Sequence, residues 1–568
     1  MTTKRRGSKA LAIALGFSLV AAACGGDDDE SSDAGEDTGE TSEEQVAGGE
    51  LIDLGTFPAS APEHIDPALN SLLDNYQVVN ALYDGLTEIN ASDPDNPEIV
   101  PQVAESYESN EDATVWTFTI REGVNFSDGT PVLPSSFQRA WERASDPEFA
   151  GDYSYLFSFI DGGQEKLDGE ADTISGIAVD DEAMTLEVTL DAPYSNFDAV
   201  AGFQIFFPMP EAVDELEDQN EWENGLMIGN GPFMLDAPRN DQEIILVPNP
   251  EWDGTVYDES LELPADPYLE QITFRIGSDI ETTYNAFEAG EGMTANIPPG
   301  RVQEADENYP TTLDVAILGS YHFDINLDNP IVGGEENVLL RQAISQAIDR
   351  EEINEAVYEG SRTTSTGVTP EGIPGFTEGL CEYCSYDPEA AQAAFDEWTA
   401  AGNSLDGPIP IQFNVDQGHE PVVSIIVDNL SEIGIEAEPD GLDSETYFTQ
   451  LADGACVICR AGWFADYPTY DNFMYDLFHT DAIGGNNYSF MSNPEFDSLV
   501  EEARQTTDAA EQQELFNEAE QILLNDDIGV IPINWYLGDY VYSEDLVNFT
   551  QTNFGLITWE KVSLANQS

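Results

Sequence analysis

Between Arg460 and Pro468 the chain reads Arg-Ala-Gly-Trp-Phe-Ala-Asp-Tyr-Pro, which puts a cation, an indole, a carboxylate and a phenol within a few positions of one another. A guanidinium and a carboxylate held this close suit a small zwitterionic ligand, and Trp463 offers a flat apolar wall. Two structural uses compete: a strand end with a buried Trp463 and a solvated Asp466, and an ion pair between Arg460 and Asp466. The preceding Ala455-Cys456-Val457-Ile458-Cys459 is apolar and rich in β-formers, which predicts a buried strand, and Tyr467-Pro468 predicts a turn. Residues 460–468 are therefore expected on a loop at the end of a rigid strand, where binding residues concentrate.

This stretch resembles the Ala-Gly-Trp-x-Ala-Asp-Tyr segment of the bacterial extracellular solute-binding proteins of family 5, the lipoprotein receptors of oligopeptide and dipeptide ABC importers. In that family the Asp takes the α-ammonium of a bound peptide, which implies that role for Asp466. The N-terminal half is similar to the family's opening signature, in order: Asp66-Pro67-Ala68, Tyr83-Asp84-Gly85-Leu86, Pro101 to Ser106, Trp116 to Arg121, and Ser127-Asp128-Gly129-Thr130-Pro131. The resemblance continues through Asn230-Gly231-Pro232-Phe233 and Phe323-Asp324-Ile325-Asn326 to Ile531-Pro532-Ile533, so that it spans about residues 51–568. By motif register it adds Ser71, Leu73, Tyr153 and Asn296 as positions offering backbone or amide contacts to a ligand, and Trp559 as a further transfer. It also marks a departure, because a Cys often found between the Trp and the Ala is here Phe464, and the position of its partner is Gly319.

The fold so implied is α/β: a two-lobed periplasmic-binding-protein-like fold of type II, cluster C, with an extra subdomain in the first lobe. Lobe 1 is expected over 51–318, including an insertion at about 87–212, lobe 2 over 319–553, and a return to lobe 1 over 554–568. The pattern of residues agrees in class. Strand-like runs such as Val115 to Arg121 alternate with helical ones such as Tyr76 to Tyr83, Ser135 to Ala144 and Val338 to Asp349, with long connections and no short repeat.

Composition narrows the partners. The chain has 568 residues, with 112 Asp plus Glu against 17 Lys plus Arg, a formal net charge of −95. Such a charge opposes binding to nucleic acid. It also repels itself, so the surface is read as adapted to saline surroundings, with an acid-coated cation binder as the alternative. Four of the basic residues, Lys4, Arg5, Arg6 and Lys9, precede a short apolar run from Ala10 to Ala23. That is a signal-peptide pattern, too short for a good membrane span. It ends Leu19-Val20-Ala21-Ala22-Ala23-Cys24, which looks like a lipobox and implies removal of 1–23 and lipidation of Cys24. The acidic, Gly- and Ser-rich stretch over 24–50 is expected to be a disordered tether.

The remaining cysteines form two pairs, Cys381/Cys384 and Cys456/Cys459. Disulfides, a four-thiolate zinc site and a redox motif all use such spacing, and an exported chain favours disulfides of open connectivity. Histidines 64, 322, 419 and 479 are scattered, without a metal-ligand motif, and phosphate-loop, dinucleotide and Gly-x-Ser-x-Gly signatures are absent. With so many acids, accidental carboxylate pairs carry no weight as catalysts. The expectation is a monomeric, non-enzymatic receptor without metal or cofactor. Held outside the cell by its lipid anchor, it captures oligopeptides and hands them to a permease with its ATPase subunits. A dipeptide, nickel-complex, haem or sugar cargo is the alternative, and an exported hydrolase or adhesin a more distant one.

Overall fold

Two long antiparallel strands, Thr312–Ile325 and Val530–Tyr542, run through the centre of the molecule. The structure, a computed structural model, describes residues 47–565 apart from 91–96, 150, 226 and 416. The signal segment, Cys24 and most of the expected tether lie outside the described residues. At the usual rise per residue the longer strand covers roughly 45 Å, enough to take part in more than one core.

These two strands join an eleven-stranded mixed sheet. On one side the order continues through Ile458–Phe464, Ile409–Asn414 and Ala437–Leu442; on the other through Thr294–Asn296, Glu50–Asp53, Gln271–Arg275, Glu243–Pro248 and Phe233–Leu235. Parallel pairing of Glu50–Asp53 with Gln271–Arg275, and of Ile409–Asn414 with Ala437–Leu442, requires crossover connections. Helix Glu420–Glu432 supplies the second of these. Its Val422, Val423, Ile426 and Leu430 recur at helical spacing and are buried.

Burial divides along the central strands. One large core runs from Leu51 to Phe274 and takes back Leu546, Phe549, Ile557, Trp559 and Val562 from the C-terminal segment. A second runs from Tyr321 to Ile533, and a third gathers Leu318 with Phe473, Phe478, Phe496, Phe516 and Leu523. The pairing of the two central strands is irregular between Ala316 and Ser320, at the passage between these cores. A separate antiparallel sheet of four strands, Ala104–Ser109, Val115–Ile120, Thr185–Thr189 and Ile177–Asp180, projects from the first core.

The expected helices are present as Leu73–Leu82, Pro134–Ala144 and Val338–Ala347. The strand near Asp466 is displaced from its expected position. It spans Ile458–Phe464, so Arg460 to Phe464 are strand residues, and only Ala465 onward forms the loop. The reason lies at Val457, whose N–H donates to the Gln412 side chain at 2.7 Å and not to a ladder partner. The Cys456–Cys459 disulfide also closes on this corner. No helix among the described residues is long and apolar enough to cross a membrane.

Candidate functional site

A cavity of about 1730 Å³ opens between the cores. It exceeds the usual few hundred to thousand Å³ of small-molecule pockets. One wall is the strand Ile458–Phe464. Its inner edge is fully paired with Thr312–Ile325, whereas Ile409–Asn414 covers its other edge only at Ile458 and Cys459. The backbone from Ala461 to Phe464 therefore presents a free strand edge, with no partner strand among the described residues, and these residues line the cavity. Gly462 is required here, because a Cβ would lie 2.2 Å from the Tyr536 hydroxyl.

Just past the strand end, Asp466 is partly buried and held on two sides. The Tyr153 hydroxyl donates to Oδ1 at 3.1 Å, and Asn472 Nδ2 donates to Oδ2 at 3.1 Å. Tyr153 belongs to the first core, so this bond joins the two sides of the cavity. Asn472 is the hub of the site. Its Oδ1 accepts from the Asp466 N–H at 2.9 Å and from Trp463 Nε1 at 3.1 Å, while its Nδ2 also reaches Asp476 Oδ2 at 2.8 Å. Burial pushes the Asp466 carboxyl up to about 8, and the nearby Asp476 charge adds to this against the bonds from Asn472 and Tyr153. Asp476, buried and beside Asp471, is itself pushed up to about 7. An ammonium ion entering here meets a carboxylate that burial has left short of positive charge.

Arg460 lies on the other face of the same strand, where Nη2 donates to the Tyr536 hydroxyl at 2.7 Å and the guanidinium sits 5.0 Å from the Tyr321 ring centre. No described carboxylate lies within ion-pair distance, and Nε has no partner among the described residues. Asp466 is thus oriented by Tyr153 and Asn472 and not by Arg460, and the Arg460–Asp466 ion pair does not form. Arg362 stands nearby, over the Tyr358 ring at 3.8 Å and the Tyr536 ring at 5.3 Å.

Of the other positions singled out, Ser71, Leu73, Tyr153, Asn296 and Trp463 line the cavity. Asn296 Nδ2 is spent on the Gly55 carbonyl at 2.8 Å. Trp559 does not line it. Its indole is 1% exposed and packs edge-on to Phe274, with ring centres 5.2 Å apart, because the C-terminal segment returns to the first core. The cysteines are paired Cys381–Cys384 and Cys456–Cys459. Gly319 and Phe464 are directly opposite in the strand pairing, and Phe464 stacks on Tyr536 at 4.5 Å. A ring stack occupies the place where the resemblance leads one to look for a crosslink.

Asn472 went unnoticed in the sequence. Its only signal is an amide among the aromatic residues of the helix Asp471–Phe478, six positions after Asp466. Among the described residues no group of His, Cys, Asp and Glu is arranged to hold a metal ion.

Comparison with known proteins agrees with this architecture. The chain is 28% identical over 514 residues to the oligopeptide-binding protein OppA of Bacillus subtilis, covering 87% of this chain and 89% of that one. It is 29% identical over 492 residues to the periplasmic OppA of Escherichia coli, covering 84% and 86%. In fold it superimposes on the murein tripeptide binding protein MppA of Escherichia coli with a TM-score of 0.78 at 23% identity, covering 93% of this chain and 100% of that chain. Residues 98–485 match the family described as bacterial extracellular solute-binding proteins, family 5 middle. The chain belongs to the bacterial extracellular solute-binding proteins of family 5, with their two-lobed α/β fold.

Proposed function

We propose that this chain is the extracytoplasmic substrate-binding component of an ABC importer, capturing oligopeptides between two closing lobes and delivering them to the membrane permease. It works by binding and not by catalysis, a reading supported by relatives that are oligopeptide-binding proteins. The observation that carries the reading is the junction of Asp466 with the free strand edge Ala461–Phe464 inside one large cavity. A peptide backbone can add to that edge as a further strand, while its α-ammonium makes charge-assisted bonds to Asp466. Arg460, without a described carboxylate of its own, takes a ligand carboxylate on the other face of the strand. Trp463 walls a side-chain pocket, and Ser71, Leu73, Tyr153 and Asn296 line the opposite side.

The lobes in this reading are residues 51–318, with an insertion at about 87–212, and 319–553, with 554–568 in the first lobe; the burial of Leu546 and Phe549 in the first core moves that return earlier, to about residue 546. The irregular pairing between Ala316 and Ser320 supports a hinge there, because a strand that breaks its ladder bends with least loss. The chain acts as a monomer outside the cell, tethered by a lipid on Cys24 after removal of 1–23.

Native mass spectrometry of the protein purified without refolding, followed by gentle release of bound molecules, tests the cargo. A ladder of short peptide masses is expected. A single non-peptide mass, or a metal, would overturn the peptide reading.

A further inference from the structure

The cavity contains a second carboxylate that the account above leaves unused. Asp324 lies on the central strand Thr312–Ile325, opposite Cys459 of the strand Ile458–Phe464 that leads to Asp466. It lines the cavity and is 2% exposed, yet no described residue donates a hydrogen bond to its carboxylate, whose Oδ1 is sealed from solvent. The nearest ring nitrogen, Nε2 of His322, is 3.9 Å away, too far for a hydrogen bond. His322 does not supply the missing charge either, because burial, aided by the Arg460 charge, pushes it down to about 3.

Asn414 repeats the pattern from the neighbouring strand. Gln412 pairs with Cys459 on the side away from Asp324, so Gln412 and, two residues on, Asn414 share the face of the sheet that carries Asp324. Asn414 is 5% exposed, lines the same cavity, and its Oδ1 has no partner among the described residues. A buried acceptor left unpaired is costly, and a buried carboxylate more so. Three other buried carboxylates of this protein do have donors. Asp66 receives two bonds from Arg143, Asp84 receives bonds from Gln102, Trp252 and Tyr257, and Glu520 receives Tyr470 and the N–H groups of Val368 and Thr369.

Both acceptors thus face the ligand space and lack donors. Phe448 and Tyr488, packed against the cluster that contains Cys459, provide an apolar wall beside them. We propose that Asp324 and Asn414 form a subsite for the ammonium or guanidinium tip of a Lys or Arg side chain carried by an interior residue of the bound peptide. The inference rests on the peptide reading. The α-ammonium is not the occupant, because Asp324 is six residues along its strand from Leu318, whose carbonyl takes the Ala465 N–H; that is roughly 20 Å from the Asp466 end. An extended peptide projects alternate side chains to one face, so a residue beyond the first presents its side chain here. The long stem of Lys or Arg lies along the apolar wall while the charged tip reaches the acceptors.

The test is calorimetric titration of the purified chain with alanine octapeptides, long enough in extended form to span that distance. Each carries Lys, or the uncharged norleucine of similar stem length, at one of positions two to seven. At one position Lys is expected to bind about tenfold or more tighter than norleucine, as a charge-assisted bond implies. In Asp324→Asn that ratio is expected to collapse towards one, while in Asp324→Glu it persists. Equal affinities at every position in the wild type would overturn the subsite and leave peptide binding standing. A Lys preference that survives Asp324→Asn would overturn the assignment to Asp324. Failure of every peptide to bind, the all-alanine one included, would overturn the peptide reading and this inference with it. The wild-type comparison alone decides if a variant does not fold.

Discussion

Asp466 and Asp476 share one amide, Asn472 Nδ2, inside a site of low solvent access. With the Asp466 carboxyl raised to about 8 from an ordinary value near 4, the empty folded protein holds a proton there that the unfolded chain gives up. The sign follows from linkage. The contribution of this group to stability is full at acid pH and is lost as pH rises from about 4 towards 8. An ammonium ligand needs the carboxylate, so peptide affinity should climb with pH, by up to about tenfold per unit, until the peptide's own α-amine deprotonates near 8. Calorimetry from pH 5 to 9 should show a maximum just below 8, and Asp466→Asn should lower that maximum by about tenfold or more and flatten the acid limb. A flat profile in the wild type would remove Asp466 from the ammonium role. At this scale the sequence showed the motif but not the support. Asp466 and Trp463 carry recognisable chemistry in their side chains, whereas Asn472 acts only through where the helix start places it.

The strand Ile458–Phe464 owes its position to neighbours distant in sequence, which is why its ends are not legible locally. Apolar run length places the strand over 455–459, but pairing with Ser320 and Gly319 extends it to Phe464, and the Gln412 side chain captures the Val457 N–H. Pairing across more than a hundred residues leaves no local signature. Helices fared better, since Val338–Ala347 shows its buried face in its own spacing. The Cys456–Cys459 disulfide fastens the start of the strand. Because it closes so short a loop, chain entropy limits its contribution to about 2 kcal/mol. The double variant Cys456→Ala, Cys459→Ala should lose about that much in denaturant titration. A loss several times larger would mean that the crosslink holds more of the fold than this corner.

Among the described residues several of the scarce cations are turned inward. Arg143, Lys166, Arg341 and Arg350 are buried; Arg341 and Arg350 donate mainly to backbone carbonyls, and Arg143 grips buried Asp66. The surface acids are therefore left to repel one another, and their repulsion is screened over about 10 Å at 0.1 M salt but about 3 Å at 1 M. The melting temperature should climb steadily through molar sodium chloride. A flat profile would instead favour a specific cationic partner. The two-lobed fold was legible because many short motifs recur in order along the chain, a stronger signal than any one of them. The same reasoning reached too far at Trp559, where the chain's return to the first core buries the ring.

The central claim is that a peptide is held by its free amine at Asp466 in the cleft. Calorimetric titration with one oligopeptide in two forms, amine free and amine acetylated, tests it most directly. The account predicts that acetylation, which removes the charge and leaves Asp466 buried without a partner, weakens binding by about tenfold or more. Equal affinity for the two forms would contradict it.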